Sequence, residues 1–375
     1  MSSSADLEQL QMLRDSAAET VRRRADTRAL RQRRGTLPGH DPAWPAQLAE
    51  LGWTGLLVRE RQGGLGLGLA EMAAVLQELG KGLMAEPLLP LALATRALHH
   101  ADRWAGADAR MAAVAAGTAW PALAWQEGLG GIDPFAVATR AEPDGAGLRL
   151  HGRKRFVAGA ASATGFVVSA QRQGGPLLCW VDAGAAGLTL THEWRADGTP
   201  GGVLQLDGVP VAAADVVAHD LAPLQRALDD GCVLAAAEML GVVEATLQMT
   251  LAYLRTRVQF GQPIGSFQAL QHKCTDLYVQ QELLRAVLAD ALQVLDDGRD
   301  AAAGARLASR CKARAADVGL RVTREAIQLH GAIGFTDEHD VGLYLKRALV
   351  LSAWLGNASA HRARFAALQE DTVAL

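Results

Sequence analysis

The sequence predicts a mainly α protein with a central β unit: an N-terminal helical domain over 1–118, a small antiparallel β domain over 119–220 and a C-terminal four-helix bundle over 221–375. Three observations predict it. Apolar residues recur at three- and four-residue spacing in "DPAWPAQLAELGW" and "LAEMAAVLQELGKGL", the period of a helix with one buried face. Near Trp120 the pattern changes to short runs rich in β-branched residues, parted by turn residues. From Leu221 the helical period returns and lasts almost to the end.

Each segment supports its assignment. Between the first two helical runs, "ERQGGLGLGL" (60–69) is a loop, because its glycines lack the G-x-G-x-x-G spacing and no β-rich run leads into them. The strand candidates are "FAVATRAE", "GLRLHGRKRFVAG", "TGFVVSAQ", "PLLCWVDA", "GLTLTHEW" and "GGVLQLDGVPV", with turns at "EPDGAG" and "RQGG". Helices over 221–260, 266–296, 301–330 and 340–370, joined by short connections, predict an antiparallel bundle.

Composition narrows the function classes. Half of the 375 residues are hydrophobic and the formal net charge is −3, which gives no argument for a nucleic-acid or membrane partner. The basic run "VRRRADTRALRQRR" (21–34) has no interleaved aromatics and reads as a solvated helix face. Cys179, Cys232, Cys274 and Cys311 form no C-x-x-C pair, so neither a zinc site nor a disulfide framework is expected, and reduced thiols fit a cytoplasmic protein. "MSSSADLEQLQML" has no apolar signal core, and no uncharged apolar run reaches the ~20 residues of a bilayer span. "TDEHD" (336–340) with His330 offers metal-ligand residue types, but Thr336 or Asp337 is expected to cap the last helix, so no metal is expected. Ser266 and His272 lack a nucleophile elbow, which argues against a hydrolase.

The passage that does not fit a plain bundle is "RTRVQFGQPIGSFQALQH" (255–272). Arg257 is a permanent cation shaped for phosphate, and Phe260 and Phe267 offer flat faces for a ring. Gly261 and Pro263 force a turn, and Gln268 and Gln271 supply donors and acceptors. The same residues are also satisfied by an interhelical turn with a surface arginine and two core phenylalanines.

The wider chain separates these readings. "YLRTRVQFGQPIGSFQALQHK" closely resembles the signature that opens the C-terminal bundle of acyl-CoA dehydrogenases, and "AIQLHGAIGFTDEHDVGLYLKRA" (326–348) resembles their second signature. "LGWTGLLVRERQGGLGL" (51–67) and "LHGRKRFVAGA" (150–160) are similar to two further family motifs, so the resemblance covers nearly the whole chain in order.

The resemblance implies FAD bound between subunits and oxidation of an acyl-CoA thioester to its α,β-enoyl form. A carboxylate takes the α-proton in that family, while hydrogen bonds stabilise the enolate-like oxygen. It implies that Arg257, Gln259, Phe260, Ile264, Phe267 and Gln268 meet the adenine and pyrophosphate of a FAD held mainly by a neighbouring subunit, with Gln328 and Gly331 approaching from the second signature. Departures are equally legible. Phe156 and Ala158 stand where relatives have a tryptophan and a small hydroxyl residue. "WQEGLGGID" (125–133) keeps Glu127, Gly128 and Gly130 but has lost the hydroxyls of the family's T-E-P-G-x-G-S-D loop. In "SAWLGNASAHR" (352–362) Leu355 takes the place of the usual glutamate base and Asn357 that of the threonine. The family's alternative base position falls on Gly231, next to Asp229 and Asp230, so Asp230 is the candidate base within the chain.

"HDVGLYLKRA" followed by "LGNASAHR" resembles the branch associated with steroid and bile-acid side-chain breakdown, whose chains assemble as α2β2 heterotetramers. The favoured expectation is a flavoprotein subunit without its own base, working beside a paralogous partner, with an electron-transfer flavoprotein as acceptor by family analogy. The alternatives are a self-sufficient dehydrogenase using Asp230, a non-catalytic structural subunit, and a relative oxidising something other than a thioester.

Overall fold

The computed structural model describes residues 4–129, 132–298 and 300–373. Two compact units emerge, one from Met1–Ala29, Ala73–Ala85 and Cys232–Leu375, the other from Leu30–Met72 and Glu86–Gly231.

The N-terminal helices are α1 (Ser4–Arg24), α2 (Thr27–Arg33), α3 (Trp44–Glu50), α4 (Leu69–Lys81), α5 (Leu88–Ala101) and α6 (Ala107–Ala115). The loop expected at 60–69 is present, with a single 3₁₀ turn at Glu60–Gln62.

Eight strands follow in one sheet among the described residues: β1 (Pro121–Ala124), β2 (Arg140–Asp144), β3 (Gly147–Ala158), β4 (Gly165–Arg172), β5 (Gly175–Asp182), β6 (Leu188–Trp194), β7 (Pro200–Val211) and β8 (Val216–Ala218). The main path runs β6-β7-β3-β2-β4-β5-β8. Its pairs are antiparallel except that β1 and β2 run parallel to β4. The fully apolar "PALA" of β1 gives no alternation to read, and it was not among the expected strands. Conversely, "FAVATRAE" enters the sheet only at Arg140. Phe166, Val167 and Val168 are all buried, so β4 is covered on both faces.

In the other unit, α9 (Ala301–His330) packs against α8 (Gln268–Asp297), α10 (Val341–Ala353) and α11 (Ala358–Val373). The expected single helix over 340–370 is therefore two helices. The break at 354–357 places Leu355 and Gly356 at φ 60° and 105°, outside helical space. Helix α7 (Ala222–Thr256) is long and apolar enough to cross a bilayer by length and composition, but 83% of its most apolar window is buried inside the protein, as in a core helix. Within this unit α4 and α7 approach so closely that a Cβ on Gly241 would lie 1.9 Å from the Gln77 carbonyl oxygen. The buried Glu238 carboxylate is gripped by Arg347 through Nε (2.5 Å) and a terminal nitrogen (2.9 Å), which compensates its desolvation.

Candidate functional site

At the end of α7 the Arg257 N–H donates to the Tyr253 carbonyl, and the Ile264 N–H donates to the Arg257 carbonyl, both at 2.8 Å. The first bond ends α7, and the second closes the base of a two-residue hairpin in which Val258–Gln259 pairs with Gln262–Pro263. Phe260 and Gly261 form its tip at φ 52° and 79°, the pair of positive φ angles that a type I′ connection needs. Phe260 is 91% exposed, so it is not a core residue. Its ring meets Phe267 edge-on at 6.1 Å. Phe267 then starts α8, with Gln268 exposed at the first helical position and Ile264 half-buried in the preceding 3₁₀ turn. Gln271 donates back to the Gly265 carbonyl, and Gln259 is exposed and donates to the Val258 carbonyl. Arg257 is exposed, and among the described residues its guanidinium makes no ion pair.

A stack of rings ties the second signature to this turn. Tyr253 lies on His330 at 4.6 Å, and His330 on His339 at 4.4 Å. The turn after α9 thus shares one end of the bundle with the hairpin, with Gln328 exposed beside it. Gly331 has φ 64°, and a Cβ there would meet nothing, so conformation rather than space requires the glycine. His330 donates through Nδ1 to the Ala326 carbonyl at 2.7 Å, and burial pushes its pKa down. The capping expected of Thr336 or Asp337 does not occur. The His339 ring accepts from the Val341 N–H, Thr336 donates to the Ile333 carbonyl, and Asp337 pairs with Lys346. No group of three metal-ligating side chains forms among the described residues.

The turn at 354–357 carries Leu355, the residue that the sequence resemblance sets in the place of the family's glutamate. Leu355 is 4% exposed, and Asn357 accepts from the Ala360 N–H to start α11. Nothing in the sequence pattern announced two side chains beneath this turn, Lys312 and His361, which donate to its carbonyls.

In the sheet unit, Glu127 accepts from the Ala138 and Thr139 N–H groups, the Thr139 hydroxyl and Lys154 Nζ. Its carboxylate is therefore committed to tying this segment to residues 138–139 and to Lys154; Gly130 lies outside the described residues. Burial drives the Lys154 ammonium down to about 8 against the pull of Glu127. Phe156 has φ 56° and sits under the Arg155 guanidinium at 4.8 Å, and Ala158 is buried.

Asp230 faces α5 in the same unit. Its Oδ2 accepts from Arg96 Nε at 2.6 Å and from His100 Nε2 at 2.7 Å. Burial pushes this carboxyl up, but the His100 hydrogen bond and the Arg96 charge outweigh it and hold the pKa below the usual carboxylate range. Arg96 and His100 stand four apart in "RALHH", on one helix face, the one signal by which the sequence could have disclosed the cluster.

Comparison with known proteins decides the family. Residues 7–101 match the acyl-CoA dehydrogenase N-terminal domain and residues 221–368 the acyl-CoA dehydrogenase C-terminal domain. The acyl-CoA dehydrogenase IpdE2 of Mycobacterium tuberculosis is 34% identical over 343 residues, 91% of each chain. This chain belongs to the acyl-CoA dehydrogenase family. It is an oxidoreductase of that type, with FAD as cofactor and an acyl-CoA as substrate. Two solved acyl-CoA dehydrogenase relatives have its fold. A Tcur3481–Tcur3483 steroid ACAD variant superimposes with a TM-score of 0.89 at 32% identity, covering 98% of this chain and 99% of that one. The ChsE4–ChsE5 complex of Mycobacterium tuberculosis gives 0.87 at 26% identity, covering 98% and 97%.

The residues present fit one end of a FAD better than the other. The exposed guanidinium, the exposed aromatic tip and the neighbouring glutamines suit a pyrophosphate and a flat base. The 125–129 loop carries no hydroxyl side chain, so its contribution to a flavin reduces to backbone groups.

Proposed function

We propose that this acyl-CoA dehydrogenase acts as a subunit without its own base, beside a paralogous partner that carries the glutamate. The observation that carries the reading is the state of the two candidate base positions. Leu355 has no proton-accepting side-chain atom, and Asp230 is bound through its Oδ2 to both Arg96 and His100, which hold its pKa below the usual carboxylate range. A general base needs a free lone pair within reach of the α-carbon, and Asp230 offers its lone pairs to two buried donors instead.

In this reading Arg257 binds a pyrophosphate as a charge-assisted donor, while Phe260 and Phe267 flank the adenine. Gln259, Ile264 and Gln268 line the same edge, with Gln328 and Gly331 beside them. When bound, FAD supplies the electron sink for the substrate's β-hydrogen. The nucleotide edge of this chain would complete a flavin held chiefly by the neighbouring subunit, in an α2β2 assembly. The names of the steroid ACAD and IpdE2 relatives favour a bulky, ring-bearing acyl group, processed in the cytoplasm, with electrons passing to an electron-transfer flavoprotein.

The test is the visible spectrum of the chain alone and co-expressed with a glutamate-bearing paralogue from the same source, each titrated anaerobically with a bulky acyl-CoA. Bleaching of the flavin band only in the co-expressed complex is the expected result. Bleaching by the chain alone at a comparable rate would overturn the proposal.

A further inference from the structure

Two locally unfavourable features coincide at the turn between α10 and α11. The Lys312 ammonium is fully buried in α9, and among the described residues no carboxylate pairs with it. Burying an unpaired ammonium is strongly unfavourable, and Lys312 is driven down to about 8 by its burial. In the turn that Lys312 reaches, Leu355 is held at φ 60°, a strained conformation for a side chain other than glycine. Stability alone would favour a methionine in the first place and a glycine in the second.

The hydrogen bonds connect the two. Lys312 Nζ donates to the Gly356 carbonyl at 2.7 Å and to the Ser352 carbonyl at 3.3 Å. His361 Nε2 donates to the Leu355 carbonyl at 2.8 Å, with the Cys232 sulfur 3.8 Å from the same nitrogen. The His361 Nδ1 is buried without a partner, as a neutral ring requires, and burial lowers its pKa to about 4. Cys311, next to Lys312, is a neutral thiol, its pKa pushed up to about 12 by burial. Lys312 is thus the buried positive charge beneath the turn, and the groups it donates to are carbonyl oxygens at the negative end of α10 and in the turn. Three of the carbonyls between Ser352 and Gly356 are taken by two buried side chains, Lys312 from α9 and His361 from the start of α11.

We infer that Lys312 is a positioning residue, which with His361 clasps the Ser352–Gly356 backbone so that Leu355 presents a fixed apolar surface to the acyl group. This rests on the reading that the turn adjoins the substrate, as its match to the base-bearing segment of the family implies. Leucine at that place suits a bulky hydrocarbon skeleton, and a turn free to relax from φ 60° would not hold it in one position.

The experiment compares the wild type with Lys312→Met, which keeps the length and loses the donors, and Lys312→Gln, which keeps a donor. Backbone hydrogen–deuterium exchange is read at 354–357 and in α7, and the dissociation constant of a bulky acyl-CoA is measured by equilibrium dialysis on the full chain with its partner. Lys312→Met is expected to speed exchange at 354–357 at least ten-fold with α7 unchanged and to weaken acyl-CoA binding at least five-fold, with Lys312→Gln restoring most of both. Unchanged exchange at the turn overturns the inference, as does faster exchange with unchanged affinity. Should Lys312→Met not fold, His361→Phe carries the same test through the Leu355 carbonyl. A wild-type complex that binds no acyl-CoA would instead overturn the functional reading, a result distinct from a variant failing where the wild type binds.

Discussion

Single side chains carry the proposed division of labour. Arg257 is exposed and makes no ion pair among the described residues, so its removal leaves the fold intact and deletes a charge-assisted phosphate contact. Arg257→Ala is expected to lower the FAD retained through gel filtration about ten-fold, a loss of ~1.4 kcal/mol, with the melting temperature within a few degrees. Asp230 is the opposite case. Asp230→Asn leaves the Arg96 charge buried and unpaired, and about 3 kcal/mol of stability is expected to go, read as a lower urea midpoint. A variant of unchanged midpoint and abolished turnover would restore Asp230 as a base. At this scale the sequence disclosed chemistry but not commitment. The guanidinium of Arg257 and the leucine at 355 were legible as residue types, whereas the pairing of Asp230 depends on Arg96 and His100, more than a hundred positions away.

At the scale of elements, packing decides what pattern alone cannot. Helical period located the bundle helices because one-sided burial repeats every 3.6 residues. It could not see the break at 354–357, because "SAWLGNAS" contains no proline and keeps apolar residues in phase. At the break the freed carbonyls accept from Lys312 of α9 and from His361 one turn into α11. The β1 strand escaped notice for a related reason, since burial on both faces removes the alternation. The crossing of α4 and α7 yields a sharp expectation. Gly241→Ala places a Cβ 1.9 Å from a backbone oxygen, so the helices must separate. A loss of roughly 1–3 kcal/mol is expected by calorimetry, opposite in sign to the gain that alanine's better helix propensity alone would bring.

The whole molecule should show its buried titrating groups as a dependence of stability on pH. His361 and His99 have pKa values lowered to about 4 and about 3 by burial, whereas in the unfolded chain they titrate near 6.5. The unfolded state therefore binds more protons between these values, and the stability they contribute, complete above pH 6.5, is lost as pH falls toward 4. Lys154 and Lys312 work with the same sign at the other end. Their pKa values of about 8 lie below the ordinary 10.5, so the penalty of burying them is present below pH 8 and fades as pH rises toward 10.5. Thermal melts of His361→Gln are expected to shift the acid limb to lower pH, and a limb that does not move would remove His361 from this account.

The hairpin tip has a consequence for engineering. A two-residue connection with both φ angles positive is most comfortable with asparagine followed by glycine, and this chain places phenylalanine in the first of those positions, almost wholly exposed. Replacing Phe260 with asparagine relieves the backbone and removes an apolar ring from solvent, so the isolated chain gains heat resistance. A library screened only for survival of heating would adopt that exchange early, and each degree gained there would erode the surface proposed to receive the nucleotide.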